Sequence, residues 1–288
     1  MHPLVELMER SFRAFLTTTT VLLLLLAFCR PGECQSSSDT AETRFPQSLG
    51  GLTLGTTTSS LPSEPPIAIS PMIRPVEGGK KRGVDWDGLL KQTSFFLAVE
   101  QGYRIGTQPN TRSALKGEFF DDWFKSVAST NGWGDGDDFL TNYIGHPMMG
   151  SVTGHIYVNN DPAARKQTFS WDSSYWNGRL KGMAWSAVYS TQFELGPISE
   201  ASIGNVGNHG KSLSGFVDLV VTPIGGLGWQ VGEDILDKYL VAWIETRTNN
   251  RWILVLSRSF LNPTRSFANM MRFGCPWNRE TRPGVWYR

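Results

Sequence analysis

The segment Asp135–Asp161, DGDDFLTNYIGHPMMGSVTGHIYVNND, gathers acids, an amide, hydroxyls and two of the chain's four histidines into an otherwise apolar, glycine-spaced stretch. Polar groups inside a packed helical layer cost free energy unless they are paired, so they persist where they hold a structure together or perform a task. Residues four apart share a helix face, which aligns Asp138, Asn142, His146 and Gly150 in one stripe. An imidazole with a carboxylate partner can serve as general base or nucleophile, and two further carboxylates would complete a divalent-metal site. Asp218 and Glu194 are the expected contributors; Glu100, Glu200, Glu233 and Asp234 are further acids in reach of the same layer. The structural alternative makes Asp138 a helix cap, sets Asn142 and His146 on carbonyls freed by Pro147, and bonds Asp218 to a neighbouring helix. His155, on an ordinary helical face, and His209, in a glycine-rich loop, read as structural.

Helices must position these groups. Apolar residues recur at helical spacing over Trp86–Tyr103, Ala114–Ser129, Phe139–Val158, Tyr175–Leu195 and Gly215–Glu245. In the second of these Leu115, Phe119, Phe120, Trp123 and Val127 are expected to face inward. Pro147 and Pro223 should interrupt the third and fifth, because proline removes a donor from the ladder and restricts the residue before it. His146 then stands at a break, where the helix either kinks or restarts, and Thr222 before Pro223 is a loose echo of it. Two such interrupted helices could pack across one another around a cleft. Glycine pairs four apart, Gly150 with Gly154, Gly178 with Gly182 and Gly228 with Gly232, predict close helix crossings and offer faces for a homo-oligomer. Gly204–Gly210 reads as loop, and the tail from Arg251 as strand or helix, limited by Pro263.

The fold class expected is mainly α: a compact helical bundle over residues 83–288 with Pro/Gly-broken helices, preceded by a signal peptide at 1–34 and a disordered linker at 35–82. Arg10 and Arg13 precede an apolar run, Ala14–Cys29, of signal-peptide length. Cleavage after Cys34, lipid modification at Cys29 and an uncleaved anchor are alternative fates. The Ser-, Thr-, Pro- and Gly-rich stretch that follows cannot bury enough surface to offset its ordering entropy. Cleavage would leave Cys275 as the lone cysteine, in a setting that suits a packed thiol. With 27 basic and 26 acidic residues the chain has a net charge of +1, which carries no electrostatic footprint for nucleic acid. No phosphate-binding loop, His-Glu-x-x-His, nucleophile elbow or dinucleotide fingerprint is present.

Three segments, DGDDFLTNYIGHPMMGS, WSAVYSTQFELGPISEAS and FVDLVVTPIGGLGWQVGE, carry a TN-x-x-GHP-x-x-GS element, an aromatic helix ending in an acid, and an acidic helix running into TP-x-GG. In that order they resemble an uncharacterised bacterial envelope family, a domain of unknown function (DUF3943-like), over about Gly134–Glu233. The resemblance implies a helical, exported, membrane-associated protein of the periplasm or outer membrane, and brings no activity with it. The residues therefore support two expectations. One is an envelope scaffold or binding module docking to a membrane, a lipid or a partner. The other is a hydrolase of lipid or lipid-linked substrates using His146 as base or nucleophile, Asp138 and Asn142 beside it, and Asp218 with Glu194 as a metal or substrate site; the cofactor is left unknown.

Overall fold

The computed structural model describes residues 83–116, 118–204 and 215–282, in which helices occur and no strands. The expected signal peptide and linker, and His209, lie outside the described residues. Helix α1 spans Trp86–Thr107, capped by Asp85, whose side chain accepts from the amide of Gly88. Short α2 (Pro109–Ala114) and α3 (Phe119–Ala128) follow; the helix expected over Ala114–Ser129 is kept over Phe119–Ala128, and α2 was not expected. The inward face expected there is met only in part. Phe119 and Phe120 are exposed, whereas Trp123 and Val127 are half-buried, the Trp123 indole donates to the Leu195 carbonyl at 3.0 Å, and the small Ser126 is fully buried.

The body is three long helices: α4 (His146–Asn160), α5 (Ser173–Leu195), capped by Asp172 on the Tyr175 amide, and α6 (Val217–Leu236). Their glycines set the register. A Cβ on Gly150 would lie 1.9 Å from the Thr222 carbonyl oxygen, and one on Gly226 would lie 2.6 Å from the Gly150 backbone. Gly182 faces the Gly154 backbone at 3.1 Å. These pairings run α4 and α6 parallel, with α5 antiparallel to both. Of the three expected glycine pairs, the first two make close approaches and Gly228 with Gly232 faces open space.

Neither proline breaks its helix. A π-helical turn, Thr141–Gly145, leads into α4, and the His146 amide donates to the Thr141 carbonyl five residues back. The wider turn makes room for the Pro147 ring, which a regular turn would press against the carbonyl four residues earlier. Pro223 sits within α6, which continues through another π-turn, Asp237–Val241, into α7 (Ala242–Arg247). The two proline turns do pack across one another: a Cβ on Gly225 would come 2.8 Å from the Pro147 ring.

The tail is helical, with α8 (Arg251–Phe260) capped by Asn250 and α9 starting at Pro263 and ending at Met271. Leu89, Phe96, Met149, Ile156, Tyr189, Phe193 and Met271 form the core between α1, α4, α5 and α9. Cys275 is buried, as a packed residue should be, but carries a disulfide rather than a free thiol.

Candidate functional site

His146 is held by the exit of the π-turn, Asp218 by the first turn of α6 and Glu194 by the last turn of antiparallel α5, so register alone brings the three to one level. His146 Nδ1 lies 3.9 Å from Glu194 Oε1, and Nε2 lies 3.6 Å from Asp218 Oδ1. His146 and Asp218 are buried, and the imidazole meets the Phe193 ring edge to face at 6.4 Å. One ligand atom from each of the three residues falls within 4.8 Å of the others. Three ligands on a divalent ion at about 2.1 Å in tetrahedral geometry stand about 3.4 Å apart, which small side-chain movements here would reach.

Asp138, expected to orient the histidine, does something else. Its carboxylate accepts from the amide of Thr141 at 2.9 Å and from the Thr141 hydroxyl, so it caps the turn from an exposed position. Asp135 takes the place in the cluster. It accepts from Asn142 Nδ2 at 2.8 Å and shares a hydrogen bond with Asp218. The loop bearing it is pinned to the start of α6, where the Phe216 and Val217 amides donate to the carbonyls of Gly132 and Trp133. Gly215 permits this: a Cβ there would meet the Trp133 carbonyl at 2.4 Å. Asn142 is thus part of the site, at one remove from His146.

Burial dominates the electrostatics. It pushes Asp218 up to about 9, with the hydrogen bond and charge of Asp135 adding to the rise. Glu194 is raised well above the usual carboxylate range by burial and then by Glu200 and Asp218. Glu200 is raised by burial although Arg104, 3.3 Å away, opposes the shift. Asp135 would also be raised by burial, but hydrogen bonds from Asp218 and Asn142 hold it below its ordinary value. Burial lowers His146 to about 4. Near neutrality the cluster is therefore a neutral imidazole beside Asp218, Glu194 and Glu200, whose ionisation burial opposes, with Asp135 the member that ionises readily.

Comparison with known protein families, curated proteins and solved structures finds no match to this chain. The site is read from its own atoms alone. His146 Nδ1, Asp218 Oδ1, Glu194 Oε1 and Asn142 Oδ1 are buried without a hydrogen-bond partner, and so are Thr222 Oγ1 and Ser186 Oγ around the Gly150 crossing. Buried polar atoms normally find partners, so a converging group of orphans points to a missing one. Thr222 was legible beside Pro223; Asp135 and Ser186 were not, since a glycine-rich breaker and a mid-helix serine give no periodic signal. A second polar cluster was missed as well. Arg179 and Arg265 share Asp234, and Arg265, Arg279 and Arg282 converge on Asp237. Its signal was arginine at every seventh position from Arg251 to Arg279.

Proposed function

We propose that this chain binds a divalent cation between His146, Glu194 and Asp218 and is a hydrolase acting on a lipid or lipid-linked substrate at an envelope membrane. The observation that carries the reading is the meeting of three orphaned, buried ligand atoms from His146, Glu194 and Asp218. An imidazole with two carboxylates suits zinc, iron or manganese and leaves a coordination position open. A cation held there would polarise a substrate oxygen or acidify a water. Asp135 orients Asp218, and Asn142 orients Asp135, as outer partners commonly orient metal ligands. Lipid as the substrate class is supported by exposed apolar side chains in the segments that carry the site, Trp133, Phe139, Tyr143, Ile144 and Phe216. The apolar run near the N-terminus supports export.

The test is metal content and affinity of the full-length protein and of its His146→Ala and Asp218→Asn variants, with turnover of phospholipid and lipid-ester substrates. Wild type should hold one divalent ion per chain and both variants should lose it with their fold intact. A wild type that takes up none of zinc, manganese or iron overturns the reading.

A scaffold docked on a membrane is the second reading, favoured by the outward apolar faces of α3 and of α8, where Trp252, Ile253, Leu256 and Phe260 are exposed. Among the described residues no helix is long and apolar enough to cross a membrane. This reading leaves the cation site without a reaction and is the one that stands if metal binds but no lipid is turned over.

A further inference from the structure

At the opposite end of α4, about 20 Å from His146 along the helix, a mainly polar cleft opens between the end of α4, the loop after it, α9 and the C-terminal loop. Its lining holds five arginines, Arg165, Arg179, Arg265, Arg272 and Arg279, against three carboxylates, Asp234, Asp237 and Glu280. His155, the remaining titratable group on its wall, is held in the neutral form by burial, although Glu233 at 3.4 Å opposes the shift.

The pairing does not consume all of the positive charge. Asp234 and Asp237 are shared among Arg179, Arg265 and Arg279, with Arg282 arriving from outside the lining. Glu280 lies 3.2 Å from Arg272 and is partly exposed. Arg165 has no ion pair among the described residues, and it stands close enough to Arg272 to repel it. At the floor, Arg179 is almost fully buried and its Nη1 has no hydrogen-bond partner. A buried guanidinium proton with nothing to donate to is costly, and the cheapest partner is an anion.

We propose that this cleft is a binding site for a phosphoryl group, taken as free phosphate or as the phosphomonoester headgroup of a lipid, held between Arg165 and Arg272 above Arg179. Guanidinium forks match the oxygens of a phosphoryl group in pairs, which favours this class over a monodentate anion. The neighbouring acids keep the arginines in place, and the excess of two positive charges over the lining suits a dianion. The proposal stands apart from the cation site, since none of the cation ligands lines this cleft.

The test uses full-length protein in two arms: calorimetric titration with inorganic phosphate, and flotation with vesicles of phosphatidylcholine with or without phosphatidic acid. Arg165→Gln, at an exposed position, keeps the fold; Arg272→Gln is accepted only if its melting temperature stays within a few degrees of wild type. Saturable phosphate binding, weakened at least tenfold in Arg165→Gln, supports the site with free phosphate as its source. Binding only to phosphatidic acid vesicles, weakened likewise, supports it with the lipid as source. No phosphate binding together with equal flotation on both vesicle types, or binding that Arg165→Gln leaves unchanged, overturns it.

Discussion

Burial of His146 between Glu194 and Asp218 makes one small volume answer for both protons and cations. Removing one ligand should therefore act on binding more than on folding: Asp218→Asn is expected to weaken divalent-cation affinity by at least tenfold, read by competition with a chelating dye. Glu100 gives an independent test of the same low-dielectric interior. Its carboxyl accepts from the Tyr189 hydroxyl, and burial raises it to about 8. A carboxyl whose folded value lies above its unfolded one adds stability that is full below the unfolded value and is lost as pH rises through the folded one. The melting temperature of the metal-free protein should thus fall between about pH 5 and pH 8, and Glu100→Gln, which keeps the Tyr189 contact, should flatten that slope. Asp237 works in the opposite sense. Burial would raise it, but Arg265, Arg279 and Arg282 outweigh burial and hold it far below the carboxylate range. Its contribution is present above the unfolded value, near pH 4, and is lost as pH falls further.

Helix crossings decide where these residues meet. Gly150 and Gly226 let α4 and α6 touch backbone to backbone, and any side chain there must push the two helices apart. Gly150→Ala should cost about 1–3 kcal/mol, seen as a lower midpoint in denaturant, and should weaken cation binding because His146 and Asp218 separate. Gly232→Ala, facing open space on the same α6, should be neutral or stabilise by up to about 1 kcal/mol through helix propensity. Glycine spacing in the sequence was enough to predict close packing, yet the third pair shares that spacing and packs on nothing. Spacing defines a face of a helix; it does not say what lies opposite. The π-turn before Pro147 is a similar case, since proline predicts disruption while only neighbouring helices determine whether the chain kinks or widens.

Across the whole molecule, polar groups line the contacts of α4, α5 and α6 while many large apolar residues look outward. Phe120 and Phe124 are 66% and 61% exposed, so Phe120→Glu with Phe124→Glu should leave the thermal midpoint nearly unchanged. The same double variant should abolish flotation with vesicles if α3 docks on a membrane, whereas unchanged flotation would remove α3 from the docking surface. Acidic and basic sites sit at opposite ends of one helix bundle, which gives the molecule two chemically distinct poles.

The sequence by itself determined the helical class, most of the helices, and three of the groups that meet at the candidate site, His146, Asp218 and Glu194, because periodicity and residue type are local properties. It also pointed to Asp138, which the tertiary structure replaces with Asp135: a loop acid has no period, and only the backbone bonds from Phe216 and Val217 bring that loop to α6. The inward face of α3 was met only in part for a related reason: Trp123 and Val127 are half-buried but Phe119 and Phe120 are exposed, since an amphipathic pattern marks two faces without stating how much of either meets protein. Which polar atoms lack partners, and which arginines exceed their acids, depends on summing every neighbour in space, and that sum exists only once the chain has packed.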